Sequence, residues 1–175
     1  MQTVKMVVTG PFAAGKTQFI QTISEIDVVA TERRISDFTG VIKEATTVAM
    51  DFGRIRVDDD LVLYLFGTPG QKRFDFMWEI LSEGMLGFVV IVDSCRSETF
   101  REAQQIIRIF KSYADTPFVI AANKQDLPDA WSAEDLKIVL GLEPDTKVLP
   151  CIARDRESVK RVLLELLYSV LETYD

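Results

Sequence analysis

The sequence predicts an α/β fold built on a mostly parallel sheet, and three observations carry that expectation. Runs rich in Val, Ile and Phe recur along the chain and are apolar on both faces, as strands buried in a parallel sheet are. Helical patterns separate most of these runs, giving a βαβα order. One pair is joined instead by the polar turn Asp58-Asp59-Asp60, which is too short for a parallel crossover.

The expected strands are 4–10 (VKMVVTG), 48–57 (VAMDFGRIRV), 60–67 (DLVLYLFG), 87–93 (GFVVIVD), 117–124 (PFVIAANK) and 147–153 (KVLPCIA). The second and third form an antiparallel hairpin, so the sheet is six-stranded and mostly parallel, with one antiparallel edge strand. About five helices are expected to connect the strands. The clearest is ESVKRVLLELLYSVLETY, where Val159, Val162, Leu163, Leu166, Leu167 and Val170 recur at helical spacing. No internal repeat, low-complexity tract or Pro-rich linker divides the chain, and residues 1–175 read as one domain. The long weakly patterned stretch, 23–47, is of a length that usually carries function.

Composition narrows the chemistry. A chain with 47% hydrophobic and 27% charged residues can bury a sizeable core. Its net charge of -7 repels nucleic acid and anionic membrane surfaces. There is no histidine, and Cys95 and Cys151 stand apart with no CxxC, so neither a zinc site nor a histidine-based triad can form. Carboxylate, lysine, hydroxyl, amide or a bound cation must do the work. No apolar run approaches the ~20 residues that span a bilayer, Gln2 stands where myristoylation needs glycine, and the chain closes LETYD. The expectation is a cytoplasmic protein with no direct lipid anchor.

The first strand runs into GPFAAGKT, Gly10 to Thr17, followed by the helical pattern QFIQTIS. This is GxxxxGK[ST] between a strand and a helix, the phosphate-binding P-loop in its required context. Gly10, Phe12, Ala13, Ala14, Gly15, Lys16 and Thr17 are the expected nucleotide contacts. The amides of Ala13 to Thr17 cradle the α- and β-phosphates at a helix N-terminus, Lys16 reaches the β- and γ-phosphates, and the Thr17 hydroxyl binds Mg²⁺.

NKQD, Asn123 to Asp126, stands at the end of a later strand. With the P-loop about a hundred residues upstream, the chain resembles the Ras-like small GTPases, whose NKxD recognises guanine. The resemblance implies that Asp126 accepts from the N1 and N2 hydrogens of the base, while Asn123 and Lys124 brace the loop and the base plane. It places Ile152, Ala153 and Arg154 in the loop that completes the base site, with the Ala153 amide toward the guanine oxygen. It makes Thr47 a Mg²⁺ ligand whose amide meets the γ-phosphate, so that loss of this phosphate releases residues 25–47. In FGTPGQ, Gly70 offers its amide to the γ-phosphate and Gln71, with Lys16 the expected catalytic residue, orients the attacking water.

GPFAAGKT, TTVAMDFG, LFGTPGQ and NKQD together resemble the prokaryotic Ras-like GTPases related to the gliding-motility protein MglA. That resemblance implies a switch cycling between GDP and GTP forms and roadblock-type regulators, with residues 25–47 and 67–82 as the expected contact segments. Two departures from Ras follow. Gly67 replaces an aspartate that touches Mg²⁺ through water, which weakens metal affinity by roughly 10- to 100-fold. Asp51, across the hairpin from residues 65–67, either fills the vacated space and supports the metal-bound waters or is a structural carboxylate bonded to loop amides. Phe12 crowds the catalytic glutamine, and the position of an intrinsic arginine finger is Thr46, leaving Arg33 and Arg34 as candidates. Slow hydrolysis is expected.

After Gln71 comes the aromatic run KRFDFMWEIL. Phe74, Met77 and Leu81 read as the buried face of a helix, with Phe76 and Trp78 as an exposed partner patch. Two rival functions remain at this level: a GTP- or GDP-binding module that does not turn over, and a P-loop kinase acting on a small substrate. The second fits poorly with NKQD and with the lack of a lid-like insertion.

Overall fold

The computed structural model describes residues 1–34, 47–70 and 75–175. Its strands are β1 (Gln2–Thr9), β2 (Val29–Arg34), β3 (Thr47–Arg56), β4 (Leu61–Gly67), β5 (Gly87–Asp93), β6 (Phe118–Asn123) and β7 (Lys147–Pro150). The helices are α1 (Lys16–Ile23), α2 (Met77–Ser82), α3 (Phe100–Tyr113), α4 (Ala133–Val139) and α5 (Arg156–Tyr174), with a short 3₁₀ turn at Ser97–Thr99. All seven strands lie in one sheet of order β2-β3-β4-β1-β5-β6-β7.

β1 pairs in parallel with β4 and β5, and β5-β6-β7 continue in parallel. β3 runs antiparallel to both its neighbours. The expected mostly parallel sheet with one antiparallel strand, and about five helices, is therefore what forms. The sheet has one strand more than the expected six, because Val29–Arg34 pairs along the outer edge of β3. VATERR carries no apolar alternation, so its strand state comes from that free edge rather than from local pattern.

The apolar runs are explained by burial on both faces. Every residue of β5 is buried. Val89 and Ile91 join a core beneath α1 and α5, with Phe19, Ile20, Leu65, Val162 and Leu166. Phe88, Val90 and Val92 face the opposite core, with Trp78, Ile106, Phe110 and Leu136. The helical spacing read in α5 is confirmed, since Val159, Val162, Leu163, Leu166, Leu167 and Val170 are its buried residues.

The parallel strands all end on one side, where the chain turns into the P-loop, the segment after β4, and the loops after β6 and β7. A ligand site in such a sheet lies beyond the carboxyl ends of its strands.

Candidate nucleotide-binding site

Backbone geometry sets the phosphate loop. Gly10 and Gly15 hold φ of 145° and 112°, and Ala13 holds 62°. These left-handed positions turn the chain between β1 and α1. A side chain at Gly15 would strike the Asn123 amide, so glycine also permits the approach of the β6 loop.

Lys16 is buried, and its ammonium donates to the carbonyls of Gly10 and Pro11, each at 2.8 Å. Burial pushes it down to about 8, against the opposing pull of Glu102 and Asp51. A buried cation whose hydrogen bonds among the described residues go to neutral carbonyls suits an anion.

Asp51 is directly paired with Gly67 across the hairpin. A Cβ at Gly67 would lie 2.9 Å from Ile20 Cδ1, 3.0 Å from the Asp51 Cβ and 3.3 Å from its Oδ2, so Ile20 and Asp51 together occupy the space that glycine leaves open. The Thr17 hydroxyl donates to Asp51 Oδ2 at 2.5 Å. Because that proton is directed at Asp51, the oxygen lone pairs of Thr17 stay available to a cation. Hydroxyl and carboxylate oxygens suit Mg²⁺, a hard cation, so this donor set fits the metal. No loop amide is recorded on the Asp51 carboxylate among the described residues.

Gly70 lies against both Lys16 and Phe12. A Cβ there would stand 3.0 Å from Lys16 Nζ and 3.2 Å from Phe12 Cδ2. Phe12 is 58% exposed, although its ring lies against Gly70. Thr68 donates to Thr9 through their hydroxyls at 2.9 Å, and its amide donates to the Val8 carbonyl at 3.0 Å, which fixes the start of this segment to β1.

Asn123 is 3% exposed and joins two loops. Its Nδ2 donates to the Ala14 carbonyl at 2.9 Å, and its Oδ1 accepts from the Ala153 amide at 2.9 Å. The expected bracing role of Asn123 therefore has its geometry. Lys124, at φ 68°, turns its ammonium to the buried Asp93 at 2.6 Å. Arg154 donates to Asp126 Oδ2 at 2.6 Å and holds that carboxyl below its usual range. Gly15, Gln18, Asn123, Lys124, Asp126 and Ala153 line a cavity of about 350 Å³, joined by Ile152 and Arg154.

The cavity thus brings together the NKQD and PCIARD residues singled out in the sequence, beside the P-loop. Asp93 was not foreseen. Its signal was a carboxylate closing an otherwise apolar strand, and its partner lies 31 residues away. Trp78 corrects the expected aromatic patch: it is 5% exposed, its ring meets that of Phe110 in a tilted contact at 5.6 Å between centroids, and it donates Nε1–H to the Pro69 carbonyl at 3.2 Å. Phe76 is exposed, while Met77 and Leu81 are buried as expected. Gln71, Thr46 and Phe74 lie outside the described residues, and Thr47, Arg33 and Arg34 are described only as strand backbone.

Comparison with known proteins agrees in part. The family model described as conserved hypothetical ATP binding protein matches residues 27–174, a span that begins downstream of the P-loop. The chain is 33% identical over 131 residues to the uncharacterized protein MJ1339 of Methanocaldococcus jannaschii, covering 75% of this chain and 76% of that one. It is 28% identical over 148 residues to ADP-ribosylation factor-like protein 14 of Mus musculus, covering 78% and 77%. It is 26% identical over 181 residues to Ras-related protein Rab-32C of Dictyostelium discoideum, covering 98% and 75%. Its relatives thus include small GTPases of the Arf and Rab kinds.

Proposed function

This chain belongs to the family described as conserved hypothetical ATP binding protein, and we propose that within it the protein is a GTP-binding molecular switch with slow Mg²⁺-dependent hydrolysis. The observation that carries the reading is the cavity where Asp126, Lys124 and the Ala153 amide meet the P-loop through Asn123. Asp126 accepts two hydrogens that guanine offers and adenine lacks. Small-GTPase relatives support the same assignment.

Lys16 leaves the Gly10 and Pro11 carbonyls for the phosphates and balances their charge. Thr17 and Thr47 give hydroxyl oxygens to Mg²⁺, and Asp51 orients Thr17 from the space beside Gly67. Held by these residues, Mg²⁺ would supply positive charge against the negative charge that develops on the transferred phosphoryl group. Gln71 positions the water, and the Gly70 amide meets the γ-phosphate. Phe12 stands against Gly70 and restricts the approach of Gln71 or of an activating arginine, which makes hydrolysis slow.

Residues 25–47 and 67–82 are the segments proposed to meet regulators, and Phe76, in the second, is exposed. FGTPGQ favours the MglA-related group and its roadblock-type partners. No helix among the described residues is long and apolar enough to cross a membrane, and a cytoplasmic location suits a GTP-driven switch.

The crowding by Phe12 also favours a second reading, a guanine-nucleotide module that does not turn over. Radiolabelled GTP incubated with the purified protein and with Gln71→Leu separates the two. Slow phosphate release that Gln71→Leu abolishes supports the switch. Bound GTP that stays intact in both proteins supports the module.

A further inference from the structure

Arg154 and Asp126 form an ion pair at the mouth of the base cavity. This pair engages the one carboxylate that the guanine reading requires. The guanidinium takes Oδ2 at 2.6 Å, and both Arg154 and Asp126 line the cavity, so a base entering it meets the pair. The Arg154 side chain is 72% exposed and Asp126 28%, so the pair is open to solvent and can part without unfolding anything.

Guanine and adenine meet this pair differently. Guanine presents two donors to the carboxylate and must share or displace the guanidinium to make both bonds. Adenine presents no donor there and gains nothing from parting the pair. The competition therefore falls on guanine alone. An exposed carboxylate-arginine pair is worth a modest factor, and salt weakens it further.

Building on the guanine-switch reading, we propose that Arg154 is a specificity-determining residue that competes with guanine for Asp126 and narrows the protein's preference for guanine over adenine nucleotides. Its effect is selective: it lowers affinity for GDP and GTP while leaving ADP and ATP unaffected. A base contact made by Arg154 would do the opposite, since a planar cation stacked on a base strengthens both nucleotides.

The test is equilibrium binding of GDP and ADP to the full chain, to Arg154→Ala and to Asp126→Ala, each at low and high NaCl. Arg154→Ala is expected to bind GDP roughly two- to fivefold more tightly with ADP unchanged, a gain that shrinks as salt rises. Weaker GDP binding, or an equal change for both nucleotides, would overturn the competition. Asp126→Ala separates this inference from the reading beneath it. If Asp126→Ala weakens GDP binding while Arg154→Ala has no effect, only the role of Arg154 fails. If Asp126→Ala leaves GDP affinity unaltered, the guanine reading fails and the inference with it.

Discussion

Asp51 is the carboxylate that stands opposite Gly67. The hairpin register puts it beside the glycine, and its Oδ2 holds the Thr17 hydroxyl. That placement was legible because a short antiparallel hairpin fixes which residues face each other. Asp51→Asn keeps the shape and removes the charge. It is expected to raise the Mg²⁺ concentration needed to retain GDP by roughly 10- to 100-fold, measured as GDP release against Mg²⁺. An unchanged Mg²⁺ requirement would leave Asp51 with a purely structural hold on Thr17. The neighbouring Lys16 gives a pH signature. Its ammonium is held near 8 by burial in the free protein, while nucleotide phosphates favour the charged form. Affinity is therefore full below about pH 8 and declines as pH rises above it, because protein that has lost the proton must regain it to bind. GDP titrations in EDTA from neutral to alkaline pH check this without a coupled metal equilibrium, and a flat profile would contradict it.

Among the elements, the loops after β1, β6 and β7 behave as one unit because Asn123 bonds to two of them. Asn123→Ala would strand the Ala14 carbonyl and the Ala153 amide in a buried setting. Each lost partner costs about 1–3 kcal/mol, so chemical denaturation is expected to show a loss of about 2–6 kcal/mol, with nucleotide affinity falling too. A stability change within experimental scatter would mean that water replaces the amide. The same elements show why legibility varied. The P-loop and NKQD could be read because their residues act within a few positions of one another. The Asp93–Lys124 pair could not, since it joins two strand ends far apart in sequence. β2 was missed because its polar residues are recruited by the open edge of β3. Trp78 was misplaced because α2 has only 6 residues, too few to fix a buried face by period. Its burial is decided by Phe110 on another helix.

For the whole molecule, a sheet covered on both faces packs, among the described residues, against two large apolar clusters and a smaller one of Met50, Met77 and Leu81, and leaves the candidate site at the carboxyl ends of its strands. Against a net charge of -7, the buried Lys16 ammonium is the proposed point of anion capture. The family description speaks of ATP, while the cavity and the small-GTPase relatives favour guanine. The most direct measurement is displacement of a fluorescent GDP from the purified chain by GTP and by ATP in the presence of Mg²⁺. A carboxylate that reads two base donors should make ATP at least about a hundredfold poorer than GTP as a competitor. Equal displacement by the two nucleotides would contradict the guanine switch.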